Sequence, residues 1–130
     1  MKVTLETIVN SKEAITELIK EKVPVDVAWD IRKNLRLIEP EVAEYEDLRS
    51  QLIIEKYGVE DKRNPGDWRV RPSMLKEFQE EVSILANKEV ELDIKKVKLP
   101  KTTMITTVNL YLLEWMIDFE EEAMEGSPAR

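Results

Sequence analysis

Apolar residues recur every three or four positions along residues 26–57, at Ile31, Leu35, Ile38, Val42, Tyr45 and Leu52. This is the spacing of one face of an α-helix. Ile31, Ile38, Tyr45 and Leu52 fall seven apart, with Ala28, Leu35 and Val42 on the alternate seam, close to a heptad pattern. The pattern predicts one long helix, capped by Asp26 and stopped at Gly58, against which the other elements pack. Pro40 falls inside it, yet the register continues from Ile38 to Val42, so a kinked continuous helix is expected rather than two separate ones.

Elsewhere the periods are shorter. Residues 1–5 alternate and predict a short strand. Residues 6–22 turn helical, with Ile8, Val9, Ile15, Leu18 and Ile19 to one side and a point of interruption at Asn10 and Ser11, where Ser11 can act as an N-cap. Val23 before Pro24 ends that helix, because a residue preceding proline avoids the helical region. Residues 59–72 form the clearest loop, with a turn at Asn64, Pro65, Gly66 and Asp67. Ser73 caps a helix running to Asn87, which carries Met74, Phe78, Val82 and Leu85 at helical spacing. Residues 89–99 alternate as a strand whose phase slips at Lys95 and Lys96, predicting a bulge or tight turn, and this strand can pair with residues 1–5. Thr106 or Thr107 caps a last helix continuing to Gly126, with Val108, Leu112, Trp115 and Phe119 in one stripe and with Tyr111 and Trp115 in the core. The fold class is therefore mainly α (α+β), a helical bundle around one long kinked helix with a small two-stranded β element. A single helical domain is expected over residues 1–130.

Composition narrows the chemistry. Charged residues reach 36% and the formal charge is −7, a poor match to nucleic acid or anionic membrane. There is no cysteine, which excludes disulfides and thiolate metal sites, and no histidine, which removes the commonest general base and the commonest transition-metal ligand. No apolar run approaches the ~20 residues that span a bilayer, and residues from Met1 onward do not read as a signal peptide. A soluble cytoplasmic protein is expected. No nucleophile elbow, phosphate loop, dinucleotide fingerprint or zinc spacing is present, so the chain is expected to be no enzyme and to need no metal and no cofactor.

Three charged clusters remain. Around Trp68 the loop turns basic, with Lys62, Arg63, Arg69 and Arg71. Trp and Arg are enriched at binding hot spots, and the competing reading is a Trp68 folded onto the core with its arginines paired. Acidic residues decorate the middle of the long helix, at Glu39, Glu41, Glu44, Glu46 and Asp47, and crowd the end of the last one, at Glu114, Asp118, Glu120, Glu121, Glu122 and Glu125. A solvated face accounts for them most simply; an imitation of DNA phosphates, or a divalent-cation site at Glu114 and Asp118 one helical turn apart, are the functional alternatives. Lys95, Lys96, Lys98 and Lys101 read as edge-strand protection or as a phosphate-binding strip. Trp29 lies beside the heptad stripe, packed on the first helix or marking a seam with a second copy.

Several segments together resemble a family of small, mostly uncharacterised helical proteins of tailed bacteriophages and prophages. They are MKVTL at the start, KVPVDVAWDIRKNLR, EYEDLRSQLIIEKYG, EVELDIKKVKLP and LYLLEWMIDFEEE. The chain departs from the resemblance at Pro40, where an unbroken Glu-rich helix is implied. The resemblance implies a phage origin and carries over no catalytic residue. Small phage proteins often act by binding a single host protein, such as a polymerase, a nuclease or a defence effector. The expected function is thus a non-enzymatic interaction protein that binds and inhibits a host or virion protein through Arg63, Trp68, Arg69, Arg71, Glu120, Glu121 and Glu122. The alternatives are an acidic DNA-mimic inhibitor and a virion or assembly component that self-associates through the long helix into a homo-oligomer.

Overall fold

The structure is a computed structural model and describes residues 1–120. In chain order these form β1 (Lys2–Thr4), α1 (Leu5–Leu18), α2 (Val25–Leu52), β2 (Gly58–Glu60), β3 (Trp68–Val70), α3 (Leu75–Ala86), β4 (Glu89–Glu91), β5 (Val97–Leu99), α4 (Thr107–Leu113) and β6 (Ile117–Phe119). A π-helical turn, Ile53–Tyr57, extends α2, and a 3-10 turn, Pro72–Met74, leads into α3. The fold is mainly α with small β elements, as the sequence predicts. Among the described residues the strands form three two-stranded pairs where the pattern pointed to one.

The chain divides into two compact units, and α1 and α2 each contribute a segment to both. Among the described residues, one unit contains Met1, Asn10–Glu39 and residues 92–120. Its core gathers Ala14, Ile15 and Leu18 of α1, Ile31 and Ile38 of α2, and Val97, Leu99, Leu113, Met116 and Ile117. β5 and β6 run parallel, with Val97 opposite Ile117 and Leu99 opposite Phe119. Parallel neighbours need a crossover connection, and α4 supplies it. Thr106 caps α4 by accepting the Asn109 N–H at 3.1 Å.

The other unit contains Lys2–Val9 and Pro40–Glu91. β1 and β4 pair antiparallel, with Val3 opposite Val90, which is the pairing expected for residues 1–5. Thr4 ends β1 and turns the chain into α1, its Oγ1 accepting the Thr7 N–H at 3.2 Å in the manner of a helix cap. Leu5, Ile8, Val42, Tyr57, Phe78 and Ala86 are buried. The Tyr57 and Phe78 rings meet edge to face, their centroids 5.9 Å apart, a favoured aromatic geometry.

α2 runs through Pro40 without a break, the continuous helix that the register predicts. Several other local expectations are corrected. The buried stripe of α2 is Ile31, Asn34, Ile38 and Val42, with Asn34 taking the place expected of Leu35. Asp26 lies in the first turn of α2 rather than before it, where its negative charge is favourable at the positive end of the helix dipole. α1 passes Ser11 uninterrupted and ends at Leu18; Ser11 is fully buried. Met74, not Ser73, occupies the N-cap of α3. The predicted strand over residues 89–99 is two strands in different sheets. Trp29, read as packed on the first helix or as marking a seam with a second copy, is 54% exposed, which sets aside the first reading, and Tyr111, expected in the core, is 70% exposed. The last helix stops at Leu113, and the chain returns to a strand that pairs with β5.

Candidate functional site

The segment read as a loop around Trp68 is a β-hairpin. β2 and β3 pair antiparallel with Gly58 opposite Val70, Val59 opposite Arg69 and Glu60 opposite Trp68. Alternation along β3 half-buries Trp68 and Val70 and leaves Arg69 exposed, so Trp68 is neither free in solvent nor enclosed in the core. The base of the hairpin is tied to the π-helical turn by the Arg71 N–H, which donates to the Tyr57 carbonyl at 2.9 Å.

The tip is organised by its own carboxylates. Asp61 Oδ1 accepts the Arg63 N–H at 2.9 Å and Oδ2 accepts the Asn64 amide at 3.3 Å, the short-range bonding that favours Asp at turn starts. The Arg63 N–H, then the Asn64 side chain, hold the Asp61 carboxyl below the ordinary aspartate value. Glu60 Oε2 accepts the Gly66 N–H at 2.8 Å. Gly66 takes φ +91°, a left-handed conformation open to glycine at no steric cost. Asp67 reaches Arg69 at 3.5 Å.

The hairpin's three acids are thus engaged by the turn and by Arg69. Lys62, Arg63 and Arg71 are exposed, and among the described residues their side chains make no ion pair. The sequence had named Arg63, Trp68, Arg69 and Arg71, and the hairpin brings all four into one element. It had missed Glu60 and Asp61, whose signal was an acidic pair one strand-length before the Asn64 to Asp67 turn. Beside the hairpin base, Glu81 of α3 accepts hydrogen bonds from Lys56 and, at 2.7 Å, from the Tyr57 hydroxyl.

The acidic end has a different standing. Glu120 is exposed, just past β6, and its N–H donates to the Leu99 carbonyl at 2.9 Å. It belongs to the unit that does not hold the hairpin. Glu121 and Glu122, with Glu125, lie outside the described residues. Glu114 and Asp118 do not share a helix face: Glu114 caps the end of α4, and Asp118 sits on β6 with Oδ1 accepting the Phe119 N–H at 2.9 Å. Among the described residues no group of three or more carboxylates is placed to hold a metal ion. No helix among them is long and apolar enough to cross a membrane.

Comparison of the chain with family models, with curated proteins and with solved structures gives no match.

Proposed function

We propose that the protein is a non-enzymatic interaction protein that binds another protein through the β2–β3 hairpin and thereby inhibits or modulates it. What supports this reading is the division of labour in the hairpin. Its acids fix the turn, while Lys62, Arg63 and Arg71 stand unpaired among the described residues around a half-buried Trp68. An Arg and Trp surface on a hydrogen-bonded hairpin has the make-up of a binding hot spot. Its charge fits an acidic partner and predicts salt-sensitive association. The resemblance of the sequence to phage proteins supports a host protein as that partner and the host cytoplasm as the place of action.

The test is capture from nuclease-treated bacterial lysate at two salt concentrations, comparing the native chain with Trp68→Ala and with the double variant Arg63→Glu, Arg71→Glu. All three positions lie outside the core, so circular dichroism should be unchanged. One dominant protein captured by the native chain and lost from both variants is the expected result. Equal capture by all three chains removes the hairpin from the interaction.

A further inference from the structure

Asn34 is a polar residue in the buried stripe of α2, 3% exposed between Ile31 and Ile38. A buried carboxamide is costly unless it is hydrogen-bonded, and here the backbone of one residue, Lys95, satisfies both ends. Nδ2 donates to the Lys95 carbonyl at 2.8 Å, and Oδ1 faces the Lys95 N–H at 3.4 Å. Leu92 and Ile94 are buried on the same segment. The clamp and these two anchors turn Asp93, Lys95 and Lys96 outward beside the exposed face of α2.

Between them lies a concavity of about 560 Å³, whose charged lining is Asp30, Lys33, Arg36, Asp93, Lys95 and Lys96. Four cations face two carboxylates in a chain of net charge −7. Among the described residues none of these six side chains makes a hydrogen bond or ion pair. Like charges held together cost energy that a bound anion relieves. The volume falls in the range of small-molecule sites.

We propose that this cleft binds a phosphate-bearing small molecule of nucleotide size. Arg36 supplies a fork suited to two phosphate oxygens, and Lys33, Lys95 and Lys96 supply point charges. Asp30 and Asp93 accept hydrogen bonds from hydroxyl or amino groups on the organic part. Asn34 is a positioning residue that sets the Lys95 backbone. The cleft and the hairpin belong to different units, so this site stands independently of the protein-binding reading.

Calorimetric titration of the full chain with inorganic pyrophosphate and with ATP tests it. Saturable binding of both at one site is expected, with ATP tighter because the carboxylates engage its nucleoside. The double variants Lys33→Ala, Arg36→Ala and Lys95→Ala, Lys96→Ala should each weaken binding by about tenfold or more, which is roughly 1.4 kcal/mol, with an unaltered melting temperature. Equal affinity for the two probes also supports the phosphate site and confines recognition to the phosphates. Absence of saturable binding, affinity indifferent to both double variants, or capture of a short RNA by a chain that ignores pyrophosphate would each overturn the proposal.

Discussion

The Trp115 indole N–H donates to Ser11 Oγ at 2.8 Å, joining residues 104 positions apart. Ser11 in turn donates to the Leu112 carbonyl at 3.2 Å. The serine is fully buried on α1, so its hydroxyl serves as a relay between the indole and carbonyl of two half-buried residues, Trp115 and Leu112. Ser11→Ala removes the relay and leaves both groups without it. Leaving a buried polar group unsatisfied costs about 1–3 kcal/mol. The expected outcome is an unfolding free energy lowered by that amount, seen by circular dichroism as a lower urea midpoint at unchanged m-value.

Two glycines should respond differently to the same change. Gly58 is extended, at φ −108° and ψ 170°, so its backbone tolerates any residue. A Cβ there would nonetheless press into the Ile53 carbonyl oxygen and Cγ2, where the π-helical turn meets β2. Backbone cannot move aside as a side-chain tip can, and overpacking of this kind costs roughly 1–3 kcal/mol or more. At Gly66 the space is open and only the positive φ opposes a side chain, a cost of about 1–2 kcal/mol. Thermal melts should therefore rank Gly58→Ala below Gly66→Ala.

These local contacts mark where the sequence stops being legible. α2 could be read because its apolar period is sustained over many turns and no other structure uses that spacing. β1 and its pairing with residues 89–91 followed from alternation and β-branched residues. The periodicity overextends the last helix because residues 110–119 are apolar on nearly every side, and such a run fits either period. Non-local pairing decided it: the Val97 N–H donates to the Met116 carbonyl at 2.9 Å, which no local pattern displays. Asn34 is not legible as a buried position, because polarity argues against burial and its partner, the Lys95 backbone, lies 61 positions away. The residue types at 63–71 single out a segment that the structure gathers into one hairpin. The pairing of β2 with β3 remained hidden because each strand is only three residues long.

The Lys56, Tyr57 and Glu81 cluster gives the protein a pH window. Hydrogen bonds from Lys56 and then Tyr57 hold the Glu81 carboxyl below the ordinary glutamate value. Its contribution to stability is present above the unfolded pKa, about 4.3, and is lost as pH falls through the lower folded value. The Glu81 hydrogen bond raises both Lys56 and Tyr57 above their ordinary values. Their contribution is full below an unfolded pKa of about 10 and is lost as pH rises through the folded values. Glu81→Gln should flatten stability against pH on both flanks, read from urea midpoints across the acid and alkaline ranges. A native-like slope on the acid side would assign that flank to other carboxylates.

Pro40 sits inside α2 with no N–H to offer, so the Arg36 carbonyl one turn earlier lacks its helical donor. The residue is exposed, while Ile38 and Val42 on either side are buried, so the ring contributes little to the core. An interior proline costs about 3 kcal/mol relative to alanine in a helix. Proline recovers part of that by restricting the unfolded chain, an effect of about 0.4–1 kcal/mol. Pro40→Ala is therefore expected to stabilise the protein by about 1–3 kcal/mol, seen as a higher urea midpoint and a higher melting temperature. The helix term exceeds the chain-entropy term, which fixes the sign. A lower midpoint would mean that the burial of Ile38 and Val42 depends on the backbone geometry that proline imposes between them, and it would make Pro40 a structural requirement.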